Sequence, residues 1–164
     1  MNLKSLQANI EEAAKELEKA RLNADTEADL DAIEALQYDI WTALEKVTFA
    51  ADREILAEGK VIFDAVNRLY IVKGYAIAEG SFIEVMRGNK WHLAEVVTMD
   101  SYNDLYTLIP GELPEEAEPM EGQLVRVKAS SRILNTEKPG ALDRVAWKGQ
   151  HYYICERGLS DEAC

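Results

Sequence analysis

Histidine, cysteine and proline are all scarce in this 164-residue chain, and each scarcity narrows its chemistry. The histidines are His92 and His151 alone. His151 and Cys155 are four residues apart in an extended pattern, which separates them by about 13 Å. That is too far to share one metal ion without a bend, and too far for a thiol–imidazole pair. The two cysteines, Cys155 and Cys164, do not make the disulfide framework of a small secreted domain. Cys155 is expected as a buried small hydrophobe and the terminal Cys164 as a mobile thiol. Also missing are a phosphate-cradling glycine motif with its lysine, a dinucleotide fingerprint and a metalloprotease helix motif. No catalytic residue, metal ligand or cofactor is therefore assigned, and an enzyme is not expected. No apolar run approaches the roughly 18 residues of a membrane span, and Met1–Ser5 leads directly into an acidic amphipathic pattern instead of a signal peptide. Cytoplasmic residence, away from membranes, is the expectation.

Acid is what the chain has in excess: 30 Asp and Glu against 18 Lys and Arg, a formal net charge of −12. The surplus sits in residues 1–58, net −8, and in 110–122, where five glutamates meet no base. Residues 123–164 are net +2. Such a field disfavours direct binding to nucleic acid and favours a protein partner with a basic surface. Arg126, Lys128, Arg132, Lys138, Arg144 and Lys148 nevertheless permit a small positive patch near aromatic residues, the ingredients of a single-strand-binding surface.

Apolar spacing divides the chain into a helical hairpin, 1–58, and a β domain, 59–164. Leu3, Leu6, Ile10, Ala13, Leu17 and Ala20 recur at three and four, predicting a helix over about 3–22. Asn23–Asp25 is a short connection, and Thr26 with Asp29 three residues on reads as an N-cap. The second helix turns Leu30, Ile33, Leu36 or Gln37, Ile40, Leu44, Val47 and Ala51 inward, with Leu36 and Trp41 widening the stripe, and it is expected to reach Leu56. So short a joint makes the pair antiparallel. Its alanine-rich seam needs another neighbour: either the β domain or a second copy, as a four-helix homodimer through residues 3–56.

Past residue 59 the pattern is that of short strands. Residues 60–72 fit both periods, and a short helix or irregular segment through Asn67 followed by strand is expected there. Ser81–Thr98 is two strands about Gly88-Asn89, a dipeptide that tolerates positive φ, with Val85, Trp91, Leu93 and Val97 as alternating apolar positions. Tyr102–Ile109, Gln123–Ala129 and a hairpin over 144–155 follow. Residues 110–122 read as an exposed acidic loop that supplies few buried side chains, and 130–142 as a polar insertion. The fold class is α+β: an antiparallel helical hairpin packed on, or attached to, a small and strongly bent antiparallel sheet or barrel.

Phe82–Val96, with its Arg-Gly-Asn-Lys turn and Trp91, followed by Tyr102–Tyr106, resembles the first three strands of a Tudor or SH3-like barrel. The resemblance covers some 30 residues. It implies that Trp91, Tyr102 and Tyr106 are the positional candidates for an aromatic pocket that reads a peptide or a modified residue.

The residues themselves favour a different role. Glu27, Asp31, Glu34 and Tyr38 fall at intervals of four, three and four, one ridge of the second helix, with Asp39 near it. Carboxylates one turn apart are about 5–6 Å from each other, close to the spacing of successive phosphates along a strand. The leading expectation is a non-catalytic interaction protein: an acidic inhibitor or nucleic-acid mimic that occupies a basic partner through this ridge and through Glu112, Glu115, Glu116, Glu118 and Glu121. The alternatives are the Tudor-like reader and, third, a small hydrolytic enzyme.

Overall fold

The structure, a computed structural model, describes residues 2–99, 104–148 and 151–155. The chain divides into two compact units between Arg53 and Glu54.

The first unit is two helices, α1 (Leu3–Leu22) and α2 (Glu27–Ala51). Each starts at a side-chain cap. The Asn2 carboxamide accepts the Ser5 N–H at 2.8 Å, and the Thr26 hydroxyl accepts the Asp29 N–H at 3.1 Å. Both caps satisfy a backbone donor that the first turn leaves without a partner. The antiparallel pairing is held by polar as well as apolar groups. The Gln37 amide, 4% exposed, donates to Glu18 at 2.9 Å, and Gln7 donates to the Thr48 hydroxyl at 3.2 Å. Gln37, not Leu36, occupies the inward position. Leu36 and Trp41, expected to widen the buried stripe, are 52% and 57% exposed. The helix also stops earlier than its periodicity suggests. At Asp52 the backbone turns extended, φ −68° and ψ 127°, and residues 55–60 form a strand.

The second unit contains twelve strands among the described residues. They are β1 (Ile55–Lys60), β2 (Ile62–Asp64), β3 (Leu69–Val72), β4 (Tyr75–Ile77), β5 (Phe82–Arg87) and β6 (Lys90–Thr98). Then come β7 (Leu105–Leu108), β8 (Glu118–Pro119), β9 (Leu124–Lys128), β10 (Ile133–Asn135), β11 (Val145–Lys148) and β12 (His151–Ile154). All pairings are antiparallel. A six-stranded sheet runs β1-β9-β5-β6-β7-β8, a four-stranded sheet runs β10-β4-β3-β2, and β11 pairs with β12. The ambiguous stretch 60–72 is thus a β-hairpin, β2 to β3, and not a helix. Its turn is shaped by Asp64, whose carboxylate accepts the Val66 N–H at 3.0 Å and the Asn67 side chain at 2.9 Å. Such side-chain turns compete effectively with helix.

The hairpin β5–β6 forms as expected, with Gly88 and Asn89 both at positive φ, 59° and 63°. Two positive φ angles match the turn to the right-handed twist of its strands. Its register decides which face is core. Ile83 pairs with Ala94, Val85 pairs with Val125, and Ile83, Val85, Ala94, Val96, Val125 and Val127 are all fully buried. Trp91, Leu93 and Val97 stand on the opposite, partly exposed face. Leu69, Val72, Ala76 and Ile77 of the smaller sheet join the same core. Met120 does so as well, fully buried within the segment expected to contribute little. Likewise the 130–142 segment supplies β10, paired with β4.

Ile83→Ala should cost about 2–5 kcal/mol, as large-to-small changes in a packed core do. Leu36→Ala, on an exposed helix face, should cost far less. Chemical denaturation of both variants checks the contrast, and equal losses would contradict this placement of the core.

Candidate functional site

On α2, 3.6 residues per turn carries the ridge beyond Tyr38. Glu27, Asp31, Glu34, Tyr38, Trp41 and Glu45 follow at four, three, four, three and four. The first five are exposed, Tyr38 at 70% and Trp41 at 57%. Asp39 is about 100° round the helix from Tyr38 and belongs to an adjacent face. Trp41, like Leu36, was expected in the buried stripe and is exposed. Its spacing of three from Tyr38 places it on the ridge.

The charges around the ridge are unevenly compensated. On α1, Arg21 grips Glu18 at 2.6 Å and Lys19 meets Glu16 at 3.3 Å. The hydrogen bond from Arg21, then that from Gln37, holds the Glu18 carboxyl down at about 2. Glu34 lies within electrostatic reach of Arg21. Glu27 and Asp31 carry no ion pair among the described residues, so the outer part of the ridge keeps its full negative charge.

The acidic loop behaves differently. Arg87 sends one terminal nitrogen to both Glu112 oxygens at 2.9 Å. Its other terminal nitrogen reaches the Thr107 carbonyl and hydroxyl at 3.2 and 3.1 Å. Glu118 lies 3.6 Å from the remaining guanidinium nitrogen. Glu112 also accepts the Ile109 N–H at 2.8 Å. That backbone bond, with Arg87 beside it, keeps its carboxyl below the usual range although partial burial opposes the shift. Glu116 accepts the Leu113 N–H at 3.0 Å. Glu112, Glu116 and Glu118 thus make contacts within the unit, and of the five loop glutamates Glu112 is half-buried while the other four are exposed.

Of the aromatic-pocket candidates, Tyr102 lies outside the described residues. Trp91 and Tyr106 are both partly buried. Tyr106 pairs with Val97, six residues along β6 from Trp91, which places the two rings' strand positions about 20 Å apart. Trp91 is covered by the Arg126 guanidinium, 4.0 Å from its ring centroid. Arg126 is itself bonded to Glu58 at 2.6 Å. A cation thus already lies on the Trp91 face, supplied by the chain itself.

Cys155 is fully buried, as expected of it, and it is disulfide-bonded. Cys164 lies outside the described residues. Among the described residues no helix is long and apolar enough to cross a membrane, and no three His, Cys, Asp or Glu side chains are grouped to hold a metal ion. Comparison with known protein families, curated proteins and solved structures finds no match.

Two measurements probe this electrostatic arrangement. Because the Glu18 pKa is lowered by folding, its links to Arg21 and Gln37 support the hairpin above the ordinary carboxylate range and are lost as pH falls through about 2. An NMR titration should place Glu18 there, and Arg21→Gln should raise it toward the ordinary carboxylate range; an unmoved midpoint would contradict the pairing. In the β unit, Arg87→Ala should destabilise by about 2 kcal/mol, because Glu112 and Thr107 lose a charged donor. Denaturation midpoints measure this, and a neutral outcome would show that the loop is held by other means.

Proposed function

We propose that this chain is a non-catalytic docking protein whose helical unit occupies a basic surface of a partner protein, as an acidic inhibitor or nucleic-acid mimic. The observation that carries the reading is the α2 ridge, where exposed carboxylates of Glu27, Asp31 and Glu34 run directly into exposed Tyr38 and Trp41. Carboxylates at helical spacing stand in for phosphates, and large exposed rings supply the apolar anchors on which interfaces depend. Long-range attraction brings the partner in, and desolvation of the two rings holds it. Of the loop glutamates, Glu115 and Glu121 could add to such a contact, since Glu112, Glu116 and Glu118 already serve the fold. The scaffold half of the proposal is that β5, β6 and β7 begin an SH3-like barrel; their consecutive antiparallel pairing supports it.

The test is capture from cell extract on the immobilised full-length protein, followed by nucleic-acid binding assays on whatever is retained. Retention should fall sharply with added salt, and the Glu27→Gln/Asp31→Asn/Glu34→Gln triple variant should abolish most of it. The retained protein should bind DNA or RNA in competition with this chain. Trp41→Ala should weaken the complex by about 2 kcal/mol while leaving helicity intact. Retention indifferent to both salt and the triple variant would sink the proposal.

A further inference from the structure

A cavity of about 330 Å³ lies within the β unit, where β10, the turn after β9 and the 3-10 turn Ala141–Arg144 meet the edge of β4. Leu56, Ile133, Leu134 and the Tyr75 ring give it an apolar wall. Lys138 and Arg144 line it too, and among the described residues no carboxylate does. The acids nearest in sequence, Glu137 and Asp143, are exposed and form no part of the lining.

That absence is unusual in a chain with so large an acid surplus. Among the described residues, the other half-buried or buried cations of this unit each have a carboxylate: Arg87 has Glu112 and Glu118, Arg126 has Glu58 and Glu84, and Lys128 has Glu84. Arg144 is half-buried and has none among the described residues. It is nonetheless fixed in place. Its Nε donates to the Cys155 carbonyl at 2.9 Å, and the Cys155 N–H donates back to the Arg144 carbonyl at 2.9 Å. This leaves its two terminal amino groups without a hydrogen-bond partner among the described residues. An oriented guanidinium fork is well matched to a carboxylate, and an ammonium lining the same cavity adds charge. The volume is at the lower end of the range for small-ligand sites, which pair apolar walls with a few placed polar groups.

We propose that this cavity binds a small amphipathic carboxylate, its head held by Arg144 and Lys138 and its hydrocarbon part lying against Leu56, Ile133 and Leu134. The site shares no residue with the α2 ridge, so each reading stands or fails by itself. The probe is sodium octanoate, titrated into the full-length protein at constant ionic strength and followed by amide NMR shifts. Octanol and inorganic phosphate are titrated in parallel, one lacking the charge and the other the apolar body. Saturable shifts should centre on residues 129–144, and Lys138→Gln or Arg144→Gln should weaken binding by about tenfold. Octanol and phosphate should each bind at least about tenfold more weakly than octanoate. Lys138 is exposed, so its variant keeps the test decisive even if loss of the Arg144–Cys155 bond disturbs the fold. Three results would overturn the proposal: no saturable octanoate shift in this region, binding unchanged in Lys138→Gln, or phosphate or octanol binding as tightly as octanoate.

Discussion

The insertion of β5 between β9 and β6 is the constraint on which the β unit depends. Ile83 and Val85 are fully buried there, with Ala94 and Val96 on one side and Val125 and Val127 on the other. Because side chains alternate with a period of two, a slip of one residue in β5–β6 would bring Trp91, Leu93 and Val97 inward and expel Ala94 and Val96. The small Ala94 is what the observed register buries, and the large indole stays on the outer face. The positive-φ turn at Gly88-Asn89 sets this register locally, and the fit of the inward side chains enforces it.

A second regularity concerns where opposite charges meet. In the β unit, arginines serve the architecture. Arg87 ties β5 to β7 and to the acidic loop, and Arg126 covers Trp91 while reaching Glu58. Partial burial makes these contacts worth more than the exposed pairs of α1, which water and salt screen. The consequence is a division of labour among the acids. Glu112, sequestered by Arg87 and by the Ile109 N–H, belongs to the fold, whereas Glu27 and Asp31 present their charge outward. Acidic residues of similar local sequence character thus end in opposite roles, according to whether a guanidinium reaches them.

How much of this was legible beforehand follows from the range of the forces involved. α1, the Thr26 cap, the Gly88-Asn89 hairpin and the strands near 124–128 and 145–154 rest on periodicity and on turn chemistry within a few residues. The ridge from Glu27 to Tyr38 was equally visible, being a matter of helical spacing alone. Residues 60–72 were not, because Val61, Phe63 and Ala65 alternate while Ile62, Val66, Leu69 and Val72 fit helical spacing; the Asp64 turn and the pairing of β2 with β3 settled the matter. Trp41 was misplaced for a related reason: hydrophobicity indicates a preference for burial, and α2 buries Gln37, with its partner Glu18, on the face it turns to α1.

The sequence by itself determined the succession of helices and then strands, their caps and turns, the acid surplus and the helical spacing of the ridge, all of which arise from neighbours close along the chain. Only the tertiary structure decided which face of β5–β6 became core, which glutamates an arginine would sequester, that Met120 and β10 would join the packed unit, and that Lys138 and Arg144 would line one cavity. Those outcomes depend on contacts between residues far apart in sequence, such as Arg87 with Glu112 and Arg126 with Glu58. Packing and burial set them, and no local pattern encodes these terms.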